Sequence, residues 1–200
     1  MNAKTLKAHK GSIKKWVGVC DGTNGDMGAD NCDLCQLFLG GILSGKSGEC
    51  GQCPVGIAGQ PHCEGGQWER WYDYHAENGE YNYGMRKVFD DKSLRLAQDQ
   101  LMFLVSLLPP KASMNFVLTH HWYDQMILGL KDHEYRNLNT FWITRLGNCG
   151  GGETMATFRR GYTSTRIQRR IKGLVVGACP YDGWDGDFID LDLGPIEVQQ

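Results

Sequence analysis

The chain has 200 residues, 41% hydrophobic and 22% charged, with a formal net charge of −2. That leaves room for one domain or two small ones and excludes wholesale disorder. It also excludes a bulk positive field, so any contact with nucleic acid has to come from a local patch.

From the N-terminus, Met1 to Lys7 lacks the apolar stretch of a signal peptide. No run reaches the roughly 20 apolar residues of a membrane span. The expectation is a soluble, cytoplasmic protein with no membrane partner. Ser12 to Cys20 reads as a short helix with Ser12 as N-cap and Ile13, Trp16 and Val17 on one face. Lys4, Lys7, Lys10, Lys14 and Lys15 then fall on a solvated face, or on one that touches phosphate.

Six of the eight cysteines lie in the first 63 residues. Cys32-x-x-Cys35 and Cys50-x-x-Cys53, 14 residues apart, are two knuckle-like pairs able to supply four soft ligands to one tetrahedral, structural zinc. Cys63 and His62 are spare ligands, and Gly48, Gly51, Gly65 and Gly66 would let the backbone turn around a metal. Reduced metal-free thiols, disulfides and an iron–sulfur cluster are the alternatives. Residues 21–84 read as loop-rich, with a core supplied by aromatics such as Trp68, Trp71, Tyr72, Tyr74, Tyr81 and Tyr83.

Asp91 to Leu108 is the clearest helix, with Leu94, Ala97, Leu101, Leu104, Val105 and Leu108 on one stripe. Pro109-Pro110 stops it and begins a linker to Ser113. Further on, the pattern predicts a strand at 115–119, a helix at 121–130 ended by Gly129, a strand at 134–138 and a helix at 140–146. Three strands follow, at 154–160, 166–176 and 188–193. Helices among short strands point to an α+β class with a small barrel.

Lys131, Glu134 and Arg136 carry the chemistry of this half. Glu134 and Arg136 project to one face of a strand, because strand side chains alternate. A desolvated Lys131 can act as base or nucleophile, while a neighbouring carboxylate opposes loss of its proton. Arg145 and Arg159 are candidates for the same cleft, where guanidinium forks suit phosphate or a base edge. Tyr135, Trp142 and Tyr162 are candidates for stacking on a base. The competing reading is a buried Lys–Glu–Arg network that only fixes the barrel. Arg159, Arg160, Arg166, Arg169, Arg170 and Lys172 form a basic stripe that would either follow a phosphate backbone or be a solvated face, with the aspartates of 182–192 close behind.

The run Trp122, Gly129-x-Lys131-x-x-Glu134-x-Arg136, Trp142-Ile-Thr-Arg145-Leu146, Phe158-Arg159-Arg160-Gly161-Tyr162 and Phe188 to Gly194 resembles the ASCH domain family of the PUA-like superfamily. The likeness is strongest to the stand-alone ASCH proteins of phages and mobile elements and covers roughly residues 114–198. It implies a small PUA-like β-barrel with short helices over 114–200; the cysteine pairs and the 91–108 helix place before it, over 1–108, a cysteine-knuckle module that ends in one longer helix. It also implies recognition of nucleic acid or a modified nucleotide. Some small family members resemble amidohydrolases that deacylate modified cytidine through a lysine and a threonine. Lys131 matches that lysine, and Glu134 stands where the threonine would be. On that alternative Lys131 is base or nucleophile, with Glu134 and Arg136 beside it. A phage accessory protein that binds a host protein is the third reading. The N-terminal half is similar to small cysteine-rich phage proteins, through Trp16, Cys32, Cys35, Phe38, Cys50, Cys53, Pro54, Cys63, Trp68 and Trp71.

Overall fold

The computed structural model describes residues 1–39, 50–60, 63–79, 85–147, 149 and 154–199. The chain divides into two compact units, Met1–Leu108 and Pro109–Gln200. Among the described residues no helix is long and apolar enough to cross a membrane.

The first unit is helical. Helix α1 (Ala3–Cys20) starts nine residues earlier than the sequence pattern predicts, and Asn2 is its N-cap, accepting from Thr5 N–H at 2.8 Å. Ser12 is therefore a buried mid-helix residue, not a cap. The face Thr5, His9, Ser12, Ile13 and Trp16 is buried, with the spacing of a helical stripe. Gly11 sits where a Cβ would collide with the carboxylate of Asp33, so the start of α2 (Asp33–Phe38) can lie against α1. A single turn, α3 (Pro54–Ile57), opens with proline at its first position. The described residues of 21–84 are less loop-like than the glycines imply, because α4 (Gln67–Glu77) carries Trp68, Trp71, Tyr72 and Tyr74, while Gly48, Tyr81 and Tyr83 lie outside the described residues. Trp71 is fully buried against Trp16, with ring centroids 5.6 Å apart in an edge-to-face arrangement.

Helix α5 (Asp91–Ser106) packs on both α1 and α4. A capping box starts it: Asp90 accepts from Ser93 N–H while the Ser93 hydroxyl accepts from Asp90 N–H. Its buried stripe includes Ala97, Leu101, Leu104 and Val105, as the periodicity predicts. The Lys15 ammonium, placed on the solvated face by sequence alone, is buried. It pairs with Asp26 at 2.5 Å, and Arg86 pairs with the other oxygen of the same carboxylate at 3.0 Å. Lys4, Lys7, Lys10 and Lys14 are exposed.

The second unit is α+β: a curled, half-barrel sheet with two short helices. Its elements are β1 (Ser113–Leu118), α6 (His120–Ile127), β2 (His133–Asn137), α7 (Thr140–Leu146), β3 (Thr154–Arg160), β4 (Arg166–Ala178) and β5 (Asp187–Gln199). The strand order is β1-β3-β4-β5-β2, with β1 parallel to β3 and every other pair antiparallel. Strict alternation along β1 buries Met114, Phe116 and Leu118. The β4–β5 register shifts between Gln168 and Gly173, and such bulges bend a strand and curl its sheet. Phe158, Ile167, Ile171, Ile189 and Leu191 line the concave core with Met126, Ile143 and Leu146.

Asp26 is the electrostatic pin of the first unit. Burial works to raise its carboxyl pKa, but Lys15, the Gly28 N–H and Arg86 outweigh burial and hold it below the ordinary 3.8. The stabilisation is therefore complete above that ordinary value and is lost as pH falls through the folded-state value. Asp26→Asn is expected to cost about 3 kcal/mol in urea unfolding at neutral pH, since it strips the counter-charge from buried cations. The gap between variant and parent should narrow as the pH is lowered below about 3.8. A gap that stays constant down to acid unfolding would contradict this role.

Candidate functional site

In the second unit, α6 ends at a turn in which Gly129 has φ +71°, a left-handed conformation that glycine takes without strain. That turn delivers Lys131 just before the edge strand β2. Lys131 and Glu134 are 5% and 3% exposed. The Lys131 ammonium lies 3.4 Å from Glu134 Oε2, and Arg136 Nη2 lies 2.7 Å from Glu134 Oε1. Glu134 is thus a buried carboxylate shared between two cations. The strand places it there, because residues 134 and 136 face the same side.

Aromatic rings wall this chain of charges. Lys131 Nζ sits 5.3 Å from the Trp122 ring, 5.2 Å from Tyr135 and 5.5 Å from Tyr181. The Arg136 guanidinium lies 4.7 Å from Trp142 and 5.4 Å from Phe116. Tyr181 and Trp184 come from the connection between β4 and β5 and pack with Trp122. Each ring face attracts the cation beneath it through its quadrupole, offsetting part of the lost hydration. Arg169 is buried as well: it donates to the Lys131, Gly194 and Leu193 carbonyls and so fixes the turn that carries Lys131.

Burial pushes both charged partners toward neutrality. It lowers the Lys131 pKa against the opposing pull of Glu134, and it raises the Glu134 pKa against Arg136 and Lys131. The Tyr135 hydroxyl is pushed up to about 12, by burial first and then by the Asp190 charge. Asp190 itself accepts from His133 Nδ1 at 2.7 Å, when that nitrogen carries the proton.

The structure brings Lys131, Glu134, Tyr135, Arg136 and Trp142 together and leaves other predicted residues elsewhere. Tyr135 is buried, with His133 stacked on it and Tyr181 in a T-shaped contact, so little of its ring is open to a base. Arg145 is exposed and lies over Phe141. Tyr162, at the β3–β4 turn, is 99% exposed. The basic stripe is broken up by pairing: Arg160 forks onto Asp124, Arg170 meets Glu197, Lys172 meets Asp192, and Arg169 is structural. Arg159 and Arg166 stand directly opposite each other on β3 and β4, both exposed.

Trp122, Tyr181 and Trp184 are the functional candidates that residue spacing did not single out. The signal for the last two is an aromatic pair inside a Pro180-to-Gly186 turn of aspartates and glycines between two strands.

In the first unit, a cavity of about 140 Å³ is lined by Cys32, Cys35, Cys50, Cys53 and Cys63, together with Lys15, Trp16 and Trp68. Cys32 and Cys35 hydrogen-bond to each other. The Ser12 hydroxyl lies 3.3 Å from Cys32 Sγ and accepts from Leu34 N–H. Hydrogen bonding from Cys35 favours the Cys32 thiolate against burial and lowers its pKa, with Lys15 and Ser12 contributing. Burial pushes the Cys63 thiol up to about 12. Cys63 has φ +63°, the one non-glycine residue with positive φ among the described residues, a conformation that costs about 1–2 kcal/mol. Among the described residues no three metal-ligating side chains are gathered in a metal-holding arrangement. The spare ligand His62 lies outside the described residues.

Glu134→Gln leaves two cations around a neutral amide and is expected to destabilise the chain by about 3 kcal/mol in chemical unfolding. Adding Lys131→Met should recover part of that loss, giving a coupling of at least about 1 kcal/mol in a double-mutant cycle. Strictly additive costs would show that the pair does not interact.

No family model matches this chain, and neither a curated protein nor a solved structure matches it, so the chemistry of the two clusters has to speak for the function.

Proposed function

We propose that the second unit is an ASCH-like domain of the PUA-like kind that recognises nucleic acid or a modified nucleotide at the Lys131 site. One observation carries the reading: a buried Lys–Glu–Arg chain walled by Trp122, Tyr181 and Trp142. Aromatic faces stack on bases whatever the sequence, and the cations beside them supply donors to base edges or phosphate. Trp184 is 38% exposed and Trp122 and Tyr181 are half-buried, so part of the aromatic wall is open to a ligand. The facing pair Arg159 and Arg166, with Tyr162 at the adjacent turn, supports a phosphate-backbone contact.

A second reading is favoured by the desolvation of Lys131, which weakens its hold on its proton. In that reading the unit hydrolyses an acyl group from a modified pyrimidine nucleoside, with Lys131 as base or nucleophile and Glu134 handling the proton. Tyr181 covers Lys131, so a substrate would have to displace that ring.

The binding reading is tested by fluorescence anisotropy with RNA and DNA oligonucleotides across a salt series. The parent should bind at low salt, and Trp122→Ala should weaken binding at every salt concentration. Arg159→Ala and Arg166→Ala should each reduce the salt slope by about one. Absence of binding to every oligonucleotide at low salt would overturn the reading. Mass spectrometry of acylated nucleosides incubated with the parent and with Lys131→Met decides the second reading: lysine-dependent product supports it, and equal turnover discards it.

A further inference from the structure

We propose that the first unit holds a structural zinc ion through the thiolates of Cys32, Cys35, Cys53 and Cys63. This site is independent of the second unit and of the function assigned there.

Five cysteines from three separate stretches of chain line one cavity: Cys32 and Cys35 at α2, Cys50 and Cys53 ahead of α3, and Cys63 beyond it. Soft thiolate donors in this number select zinc over the hard cations, which prefer oxygen. Cys63 contributes the observation that spacing cannot supply. It holds a left-handed backbone where glycine would be at ease, and backbone strain of that kind persists where the side chain is needed in one place. That place is the cavity wall. Cys63 is therefore a ligand and not a spare, and Cys50 is the one left over. The pairing of Cys53 with Cys50 is through the backbone, Cys53 N–H donating to the Cys50 carbonyl at 3.1 Å, a turn that orients Cys53.

The surroundings suit a negatively charged thiolate cluster. The Ser12 hydroxyl, already accepting from Leu34 N–H, has its proton to give to Cys32 Sγ, as an outer-shell partner does for a ligating sulfur. Lys15 places an ammonium on the cavity wall, complementing the net negative charge of four thiolates around one dication. Zinc–sulfur bonds are about 2.3 Å long. The thiols line one cavity without being gathered at coordination distance, so metal binding draws them together, and each coordinating thiol releases its proton to solvent as its bond to zinc forms.

The test uses the full chain, purified with a reductant and without chelator, and measures metal by inductively coupled plasma mass spectrometry. The expected content is about one zinc per chain. Cys32→Ser, Cys35→Ser, Cys53→Ser and Cys63→Ser should each lose most of it, while Cys20→Ser and Cys50→Ser keep it. Serine at a ligand position can also unfold the unit, so a second measurement uses the unmodified sequence. Cobalt added after zinc removal should give the intense visible absorption of tetrahedral cobalt–thiolate, bleached by one equivalent of zinc. A parent chain without zinc and without that absorption overturns the site. Retention of metal by Cys63→Ser with loss in Cys50→Ser overturns the assignment of Cys63. A Cys32–Cys35 disulfide in the unreduced chain overturns the metal site in favour of a redox pair.

Discussion

Each unit is organised around a buried carboxylate shared by two cations. Asp26 sits between Lys15 and Arg86, and Glu134 sits between Lys131 and Arg136. Such an arrangement is costly to assemble, because three ions leave water, and it is retained only where the geometry repays desolvation. The repayment differs between the units. Around Asp26 it comes from hydrogen bonds: the Gly28 N–H and the Trp68 indole N–H also reach its oxygens, so one carboxylate ties α1, the turn after it and α4 to Arg86. Around Glu134 it comes from aromatic faces laid against the cations. The Glu134 carboxylate is met by Lys131 and Arg136, where Asp26 is met by four groups.

Lys131, Glu134 and Arg136 were legible in the sequence because their contact is local. A glycine-ended helix, a turn and a two-residue strand alternation fix their relation before any tertiary packing is known. α7 and β3 were legible for the same reason, and fall at the predicted residues 140–146 and 154–160. Tyr181 was not, since its approach to Lys131 depends on a hairpin whose thirteen-residue strands close some 50 residues later. The basic stripe shows the same limit, since Arg160, Arg170 and Lys172 meet carboxylates that only the fold brings near. A run of arginines in sequence carries no information about the carboxylates that the register brings opposite it. Asp192 meets Lys172 only because the β4–β5 ladder shifts by bulges, and Asp124 reaches Arg160 from a helix.

The first unit shows the same boundary between local and non-local information. The stripe of α5 was readable from periodicity alone. The start of α1 was not, because Ser12 is a better cap by type than the residues around it. The Ala- and Lys-rich stretch before it propagates helix from Asn2 instead. The hydroxyl is then spent on Cys32 and Leu34. Lys15 shows how spacing can mislead: four of five lysines are exposed, and the fifth is drawn inside by an acidic partner eleven residues on.

Among the described residues between α1 and α4, the chain has little with which to hold itself. α2 has six residues and α3 has four, well below the length at which a helix persists without tertiary support. Among the described residues of that stretch, the buried apolar side chains are Leu34, Cys53 and Val55. Asp26 anchors its beginning and Trp71 its end, but neither reaches the middle. A small region with so thin a core gains most from a cross-link. Among the described residues there, Cys32, Cys35, Cys50, Cys53 and Cys63 line a common cavity, the placement that such a cross-link needs.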